Sequence, residues 1–290
     1  MKLSIFVVAY NQEDFIGQCL DSVLAQEIDF DCEILVGEDC STDKTAAICD
    51  QYAAKDSRIK VFHHHKNLGL KKNWEFVWNH CSGDYIAMVE GDDYWIDTKK
   101  LQRQVGFLDA HPEFSLTFTG AAIDYAPGTQ PGAEQNLEHL AEREYSAGEI
   151  YQKVTCLTST VVCRNCLKQI EYGSKLLYAD TFTFLSLLEK GRAYGFAEKS
   201  SAYRVHLKNI SRGGDTDFWK GYFRQSRYFK KCFPTLADIS QNKIDECLPH
   251  LIYLKHDGGW KYRFYKMWHE PKLFFSRFFI KTIVSYILHL

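Results

Sequence analysis

The stretch Asp84-Tyr-Ile-Ala-Met-Val-Glu-Gly-Asp-Asp-Tyr-Trp95 constrains this chain more than any other. Tyr85 to Val89 is apolar without interruption, the composition of a strand buried on both faces of a parallel sheet. It runs straight into Glu90, Gly91, Asp92 and Asp93, so three carboxylates fall within four residues at a strand's C-terminal end. Such charges repel one another and lose hydration near a core, and a cation shared with a ligand relieves both problems. That edge of an open α/β sheet is also where ligands bind. Gly91 removes a side chain where a ligand would come close. The plainer reading is an acidic turn entering a helix, with Asp93 or Asp97 as its cap. Residue chemistry alone leaves the two readings level.

The segments before this stretch repeat one pattern. Leu3 to Tyr10 reads as a buried strand, and a helix from about 13 to 26 follows, with Asn11 as its cap. Cys32 to Gly37 is a second strand, running into Glu38-Asp-Cys-Ser-Thr-Asp43, where Ser41 or Thr42 starts a helix to about Asp56. Ile59 to His64 is a third strand, Asn67-Leu-Gly69 a turn, and Lys71 to Cys81 a third helix. Alternation of this kind with short links predicts an α/β fold, a doubly wound and mostly parallel sheet. Neither a GxGxxG loop nor GxxxxGK[ST] occurs, so neither a dinucleotide fingerprint nor a P-loop is indicated.

Downstream, Phe114 to Tyr125 is a further strand, and 126–143, with its prolines, glycines and acids, reads as a loop over the site. Ser146-Ala-Gly-Glu149 is a capping box. Thr158 to Cys163 is strand-like, Thr181 to Lys190 an apolar helix preceded by Asp180, and Ala193–Phe196 and Ser201–Val205 are two short strands. From Phe218 to Phe233, and from Ile244 onward, the chain reads as helical, aromatic and basic. These signals divide it into a domain over 1–210 and a helical extension over 211–290.

The acidic stretch resembles the metal-binding motif of family 2 glycosyltransferases, inverting enzymes with a nucleotide-diphospho-sugar transferase fold of the GT-A type. The family pattern is an apolar strand followed by Asp-x-Asp-Asp, and here Glu90 stands at the first position. The resemblance extends over roughly residues 1–210. Tyr10-Asn11 ends the first strand as the family's does, and Glu38-Asp-Cys-Ser-Thr-Asp43 is similar to its Asp-Asp-Gly-Ser-x-Asp. Asn67-x-Gly69 with Asn73 resembles its nucleotide-facing turn and helix. The resemblance implies a nucleotide-binding half over 1–95 and an acceptor-side half over 96–210. It makes Asp39 a contact to a uracil N–H or a ribose hydroxyl, with Tyr10, Asn11 and Asn73 around the donor. By residue type alone Asp39 would cap a helix through an Asx turn. Asp92, with Glu90 or Asp93, would hold Mg²⁺ or Mn²⁺ against the diphosphate.

Asp180 resembles the family's catalytic aspartate by position and flanks, and its plain alternative is a helix N-cap. Tyr203-Arg-Val-His206 resembles a segment near the diphosphate, which makes Arg204 a phosphate contact and His206 a metal or phosphate ligand. His63, His64 and His65 are read as solvated. The implied reaction moves one sugar from a nucleotide-sugar donor, a UDP-sugar, to a glycan or lipid-linked glycan. A sugar nucleotidyltransferase would need a glycine-rich basic loop after strand one, where Tyr10-Asn-Gln-Glu-Asp14 stands. A non-catalytic nucleotide- or glycan-binding module is the alternative from another class.

Bulk properties narrow the partners and the compartment. A net charge of −2 over 290 residues argues against a nucleic-acid partner, whose binding domains are usually basic. The ten cysteines follow no metal-ligand spacing, and Cys163-Arg-Asn-Cys166 reads as two small residues near a strand end. No signal-peptide pattern precedes the first strand, which points to a reducing cytoplasm. Finally, Phe274, Phe275, Phe278, Phe279, Ile283, Tyr286, Ile287 and Leu290 recur at helical spacing, with Arg277 and Lys281 on the other face. Charge interrupts the segment too often for a spanning helix. Its pattern suits a helix in the interface of the inner membrane face, or one packed on the protein's own core or a second subunit.

Overall fold

β1 (Leu3–Ala9) is apolar at all but one position, and in the computed structural model every one of its residues is buried. It pairs in parallel with β2 (Cys32–Glu38) on one side and β4 (Tyr85–Glu90) on the other, so Ala9 lies beside Glu38 and Val8 beside Glu90. β3 (Ile59–His63) adds to β2, also in parallel. The sheet then changes character. β8 (Val162–Arg164) runs antiparallel to β4, and β6 (Phe114–Tyr125) antiparallel to β8. β9 (Arg192–Val205) is parallel to β6, while β5 (Tyr94–Trp95) and β7 (Arg143–Tyr145) pair antiparallel with β9. The resulting strand order is β3-β2-β1-β4-β8-β6-β9-β5, a mixed sheet of the GT-A type.

The structure describes residues 1–129, 140–152, 156–167, 169–170, 172–173, 176, 178–206 and 216–253, the last with side chains over 218–247. Most of the loop read at 126–143, and the whole amphipathic stretch 272–290, lie outside them. Among the described residues no helix is long and apolar enough to cross a membrane.

Alternation along β1 sorts the core onto two faces. Leu3, Ile5, Val7 and Ala9 join one cluster with Ile16, Cys19, Leu20 and Val23 of α1 (Ile16–Leu24) and Leu101, Val105 and Leu108 of α4 (Lys100–Ala110). On the opposite face Phe6 packs edge-on against Trp74 of α3 (Leu70–His80), with ring centroids 4.7 Å apart, and against Trp78 at 6.4 Å. Aromatic pairs of this geometry add about 0.5–1.5 kcal/mol beyond their buried area. Gly37 lets α3 approach β2, because a Cβ there would lie 2.2 Å from Asn73 Oδ1.

Several expectations shift locally. α2 (Thr45–Ala53) begins after the loop containing Ser41 and Thr42, and no side chain caps it. The stretch read as a strand at 158–163 is a 3₁₀ turn, Thr158–Thr160, followed by β8. The two short strands expected near 193 and 201 are one long β9, with register breaks where Gly120 pairs Lys199. A bulged strand interrupts the period-two pattern, and so reads as two. The capping box is present at the start of α5 (Ala147–Gln152). Glu149 N–H donates to Ser146 Oγ at 3.2 Å, and Ser146 N–H to Glu149 Oε2 at 3.0 Å.

The chain divides into two compact units, Met1–Gly173 with Tyr178–Asn209, and Ser174–Leu177 with Ile210–Leu290. The sheet and α6 (Ala179–Leu188) belong to the first. In the second, α7 (Thr216–Cys232) packs against α8 (Ala237–Tyr253) through Phe223, Ile244 and Cys247, with Trp219 and Tyr222 beside them.

One lysine is wholly buried. Lys100 donates from Nζ to Gln104 Oε1 at 2.7 Å and lies 4.9 Å from the Trp95 ring centroid. Burial, reinforced by the Arg103 charge, lowers its amine from 10.5 to about 7. The unfolded chain therefore binds more protons than the folded one between about pH 7 and 10.5, and stability climbs as pH rises through that window. Below it the full burial penalty remains. Lys100→Met is expected to stabilise the protein by about 1–4 kcal/mol at pH 6, with a smaller gain at pH 10. Urea unfolding at the two pH values checks this, and a pH-independent gain contradicts it.

Candidate active site

Three neighbouring parallel strands, β2, β1 and β4, end side by side, and most of the acidic and amide residues singled out above follow them. The loop after β1 is tied to the loop after β2 by several bonds. Asn11 Oδ1 accepts from Thr42 N–H at 2.8 Å, and Asn11 N–H donates to Ser41 Oγ at 2.9 Å. Gln12 N–H donates to Thr45 Oγ1 at 2.8 Å. Asn11 is thus a bridge between loops and not the helix cap expected of it, since α1 starts after Phe15 with no side-chain cap. Its backbone is left-handed, at φ 52°. Asparagine tolerates that region better than most residues. Tyr10 stands exposed beside it.

Asp39 is buried at the end of β2, and it does not cap α2. Its Oδ1 accepts from Leu68 N–H at 2.7 Å and its Oδ2 from Gly69 N–H at 2.9 Å. It thereby holds the Asn67–Gly69 turn against the strand end. Asn73 is buried behind that turn. Its Nδ2 donates to the Gly37 carbonyl at 2.8 Å, and its Oδ1 meets His64 Nε2 at 3.0 Å. The histidine run is not simply solvated either. His63 sits between Asp50 Oδ1, at 2.8 Å, and Glu38 Oε2, at 3.6 Å.

Cys40 follows Asp39 with φ 58°, where the resembled pattern has glycine. An L-residue in that region costs roughly 1–2 kcal/mol, and a β-branched one fares worst. Cys40→Gly is expected to retain or raise the melting temperature, whereas Cys40→Val should lose about 1–2 kcal/mol. Thermal unfolding of both distinguishes them, and equal stabilities would remove the conformational explanation.

After β4 the chain still pairs with β1, Gly91 N–H donating to the Val8 carbonyl at 2.9 Å. A Cβ on Gly91 would lie 2.4 Å from Gln12 Oε1, so the acidic turn is pressed onto the first loop. The three carboxylates then part ways. Asp93 is buried, and both its oxygens are engaged: Oδ1 accepts from Arg204 N–H at 2.9 Å, and Oδ2 from Ser159 Oγ at 3.1 Å. Ser159 in turn accepts at its carbonyl from Trp95 Nε1 and Ser201 Oγ. Asp92 is half-buried and meets His206 Nε2 at 3.0 Å. Glu90 is half-buried, and its carboxyl is raised well above the ordinary range by burial and then by the charges of Asp93, Asp92 and Asp180. Asp93 is raised as well, by burial and then by Asp92. The turn thus gathers three carboxyl groups, two of which burial and mutual repulsion push towards the neutral form.

Arg204 and His206 reach this place from the end of β9. The Arg204 guanidinium lies over the rings of Phe15, at 4.7 Å, and Tyr94, at 5.0 Å. It donates to Gln18 Oε1 and faces Asp124 Oδ2 at 3.5 Å. The His206 ring packs on Phe15 with centroids 5.0 Å apart. Phe15, Gln18, Asp124 and Ser159 carry no motif, and only their partners in space reveal them.

Asp180 lies in the first turn of α6 but is not its N-cap, a position held by Tyr178. Its Oδ1 accepts from the N–H of Thr181 at 2.5 Å. Burial raises its carboxyl above the usual value, against the opposing hydrogen bonds from Thr181. Its charge is one of those that raise the Glu90 carboxyl.

Among the described residues no group of three or more His, Cys, Asp or Glu side chains is arranged to hold a metal ion. A divalent ion completed by phosphate oxygens and water needs only one or two protein carboxylates. Asp92 and Glu90 are hard oxygen donors of that kind, in a turn that gathers three carboxyl groups. The residues present fit such an ion. Asp93 fits it poorly, because its oxygens serve the fold.

The family model for glycosyl transferase family 2 matches residues 4–166. An uncharacterized protein of Mycobacterium tuberculosis is 30% identical over 222 residues, 75% of this chain and 64% of its own length, so the chain spans under two thirds of that relative. The putative teichuronic acid biosynthesis glycosyltransferase TuaG of Bacillus subtilis is 30% identical over 210 residues, 72% of this chain and 81% of its own. Among solved structures, residues 1–349 of S. aureus TarS in complex with UDP-GlcNAc superpose with a TM-score of 0.63 at 21% identity, covering 90% of this chain and 75% of that one. That likeness gives the fold, and the family match agrees with the strand-end motifs already described. The chain belongs to glycosyl transferase family 2.

Proposed function

We propose that this protein transfers one sugar from a UDP-sugar to a hydroxyl of a surface glycan or lipid-linked glycan, with inversion and with help from Mg²⁺ or Mn²⁺. The observation that carries this reading is the placement of Glu90 and Asp92 on the turn after β4, beside the ends of β1 and β2, where burial and then the neighbouring acids Asp93, Asp92 and Asp180 raise the Glu90 carboxyl. Family membership supports the donor class. UDP-GlcNAc in the TarS complex and the teichuronic acid role in TuaG's name support the choice of nucleotide and of acceptor.

In this reading Asp39 and Tyr10 face the nucleoside, and Asn11 keeps their two loops together. Asp92, with Glu90, holds the cation, which when bound neutralises charge developing on the leaving diphosphate. Asp93 organises the turn, and His206 orients Asp92. Arg204 would meet phosphate only in competition with Asp124, so its main contribution is to hold the end of β9. Asp180 takes the proton from the acceptor hydroxyl as that oxygen bonds to the anomeric carbon and the bond to the diphosphate breaks. A carboxylate raised by burial is a stronger base than one in water, and a positioned base contributes typically 10²–10⁴-fold.

A panel of UDP- and GDP-sugars with Mn²⁺, read by release of nucleoside diphosphate, tests the reaction class. Turnover with at least one donor is expected. Binding of UDP without turnover of any donor would favour a non-catalytic module. Asp92→Asn should abolish Mn²⁺-dependent UDP binding while leaving the melting temperature equal or higher, since repulsion is relieved. Asp180→Asn should keep donor affinity within about twofold and lose 10²–10⁴-fold in turnover. Wild-type turnover in either variant overturns its assignment. The basic and aromatic sequence of 272–290 supports contact with anionic lipid. Flotation of the full-length chain with anionic liposomes, against a chain ending at Pro271, reads that directly: full-length protein that stays at the bottom of the gradient removes the idea.

A further inference from the structure

α3 carries a stripe of side chains that hold another part of the chain by its backbone. Lys71, Glu75 and Asn79 are four residues apart, so they share one face of the helix. Asn79 makes a two-way pair with Ile170, its Nδ2 donating to the carbonyl at 3.0 Å and its Oδ1 accepting from the N–H at 2.9 Å. Glu75 Oε2 accepts from Tyr172 N–H at 2.8 Å, and Lys71 Nζ donates to the Gly173 carbonyl at 3.2 Å. Trp78 adds a fifth bond, from Nε1 to the Leu167 carbonyl at 3.2 Å. The contacts run in opposite order along the two segments, from the His80 end of α3 back to its Leu70 end. Every one goes to main chain, so they hold Leu167, Ile170, Tyr172 and Gly173 against α3 whatever the side chains there are.

The strap ends on α6. Tyr172 is buried, and its hydroxyl meets Thr183 Oγ1, which donates to the Ala179 carbonyl at 2.9 Å. Ala179 precedes Asp180. At its other end α3 begins at the Leu68–Gly69 turn that Asp39 holds. One rigid helix therefore bears on both the nucleoside side of the site and the turn carrying Asp180.

From this connected set of contacts we infer that Glu75 and Tyr172 are positioning residues, which fix the first turn of α6 and so the Asp180 carboxylate relative to the donor. The inference rests on Asp180 acting as the base. Glu75 touches no reacting atom: it holds the Tyr172 N–H, Tyr172 holds Thr183, and Thr183 holds the backbone that presents Asp180. Glutamine at 75 keeps an acceptor oxygen for that N–H, whereas alanine leaves it without one.

The experiment compares Tyr172→Phe, Glu75→Ala and Glu75→Gln in the full chain with wild type and Asp180→Asn, using the donor that the panel identifies and Mn²⁺. Turnover at saturating donor, UDP affinity and melting temperature are measured together. Tyr172→Phe and Glu75→Ala are expected to lose about tenfold in turnover with UDP affinity within twofold, and Glu75→Gln to recover most of that loss. Hydrogen exchange at the amides of the first turn of α6 should speed up in the two impaired variants and not in Glu75→Gln. Full turnover in Tyr172→Phe and Glu75→Ala, beside an inactive Asp180→Asn, overturns the positioning role and leaves the base assignment standing. An active Asp180→Asn overturns the base assignment and this inference with it. If Glu75→Ala unfolds, Tyr172→Phe, which changes one hydroxyl, decides alone. Loss of UDP affinity in parallel with turnover would make these residues supports of the donor site and overturn the role as stated.

Discussion

The rest of the site depends on one buried carboxylate. Asp93 sits at the end of β4 with one oxygen on the backbone of β9 and the other on the turn before β8. A buried carboxylate without such partners is strongly disfavoured, so the strand ends that satisfy it are held where they are. Beyond the pairing of β4 with β8, that requirement ties the end of β4 to the end of β9 and to the Thr158–Thr160 turn. It also places His206, two residues beyond Arg204, against Asp92. The neighbouring acids inherit their roles from it. Asp93 has both oxygens engaged within the fold, Asp92 meets His206, and Glu90 is the acid raised by all of its acidic neighbours.

A second constraint comes from packing. β1 must be covered on both faces, and the sequence supplies α1 and α4 for one and the tryptophans of α3 for the other. Because Trp74 and Trp78 lock α3 to Phe6, the neighbouring stripe of α3 becomes a fixed platform. On it rest the turn held by Asp39 and the strap held by Glu75 and Asn79. Two regions far apart in sequence are thus referred to one element. Side chains that hold backbone groups do this well, because those partners cannot change rotamer.

Some polar groups have partners within the protein that composition cannot convey. Asn73 spans Gly37 and His64, and Arg204 is enclosed by Phe15, Tyr94 and Asp124. Each has the residue type expected of a donor contact, and each already has partners within the protein. Lys100 is the converse case, a cation where the helical pattern allows solvent, yet buried over Trp95 with Gln104 as its acceptor. In each case neighbours distant in the chain decide the role.

The sequence by itself determined the alternation of the first four strands and three helices, the acidic turn at Glu90 to Asp93, the capping box at Ser146 and the family. These follow from local signals: apolar runs, helical periodicity, and motifs whose residues are adjacent in the chain. It could not say which of three adjacent acids would be buried, because that depends on Ser159 and Arg204, 66 and 111 residues away. Nor could it show that Asn11 braces a loop instead of capping a helix, that two apparent strands form one bulged β9, or that α3 reads the backbone of the strap leading to Asp180. Those outcomes rest on hydrogen bonds between segments that only the folded sheet brings within reach. Their satisfaction is a property of tertiary geometry and leaves no pattern in the order of residues.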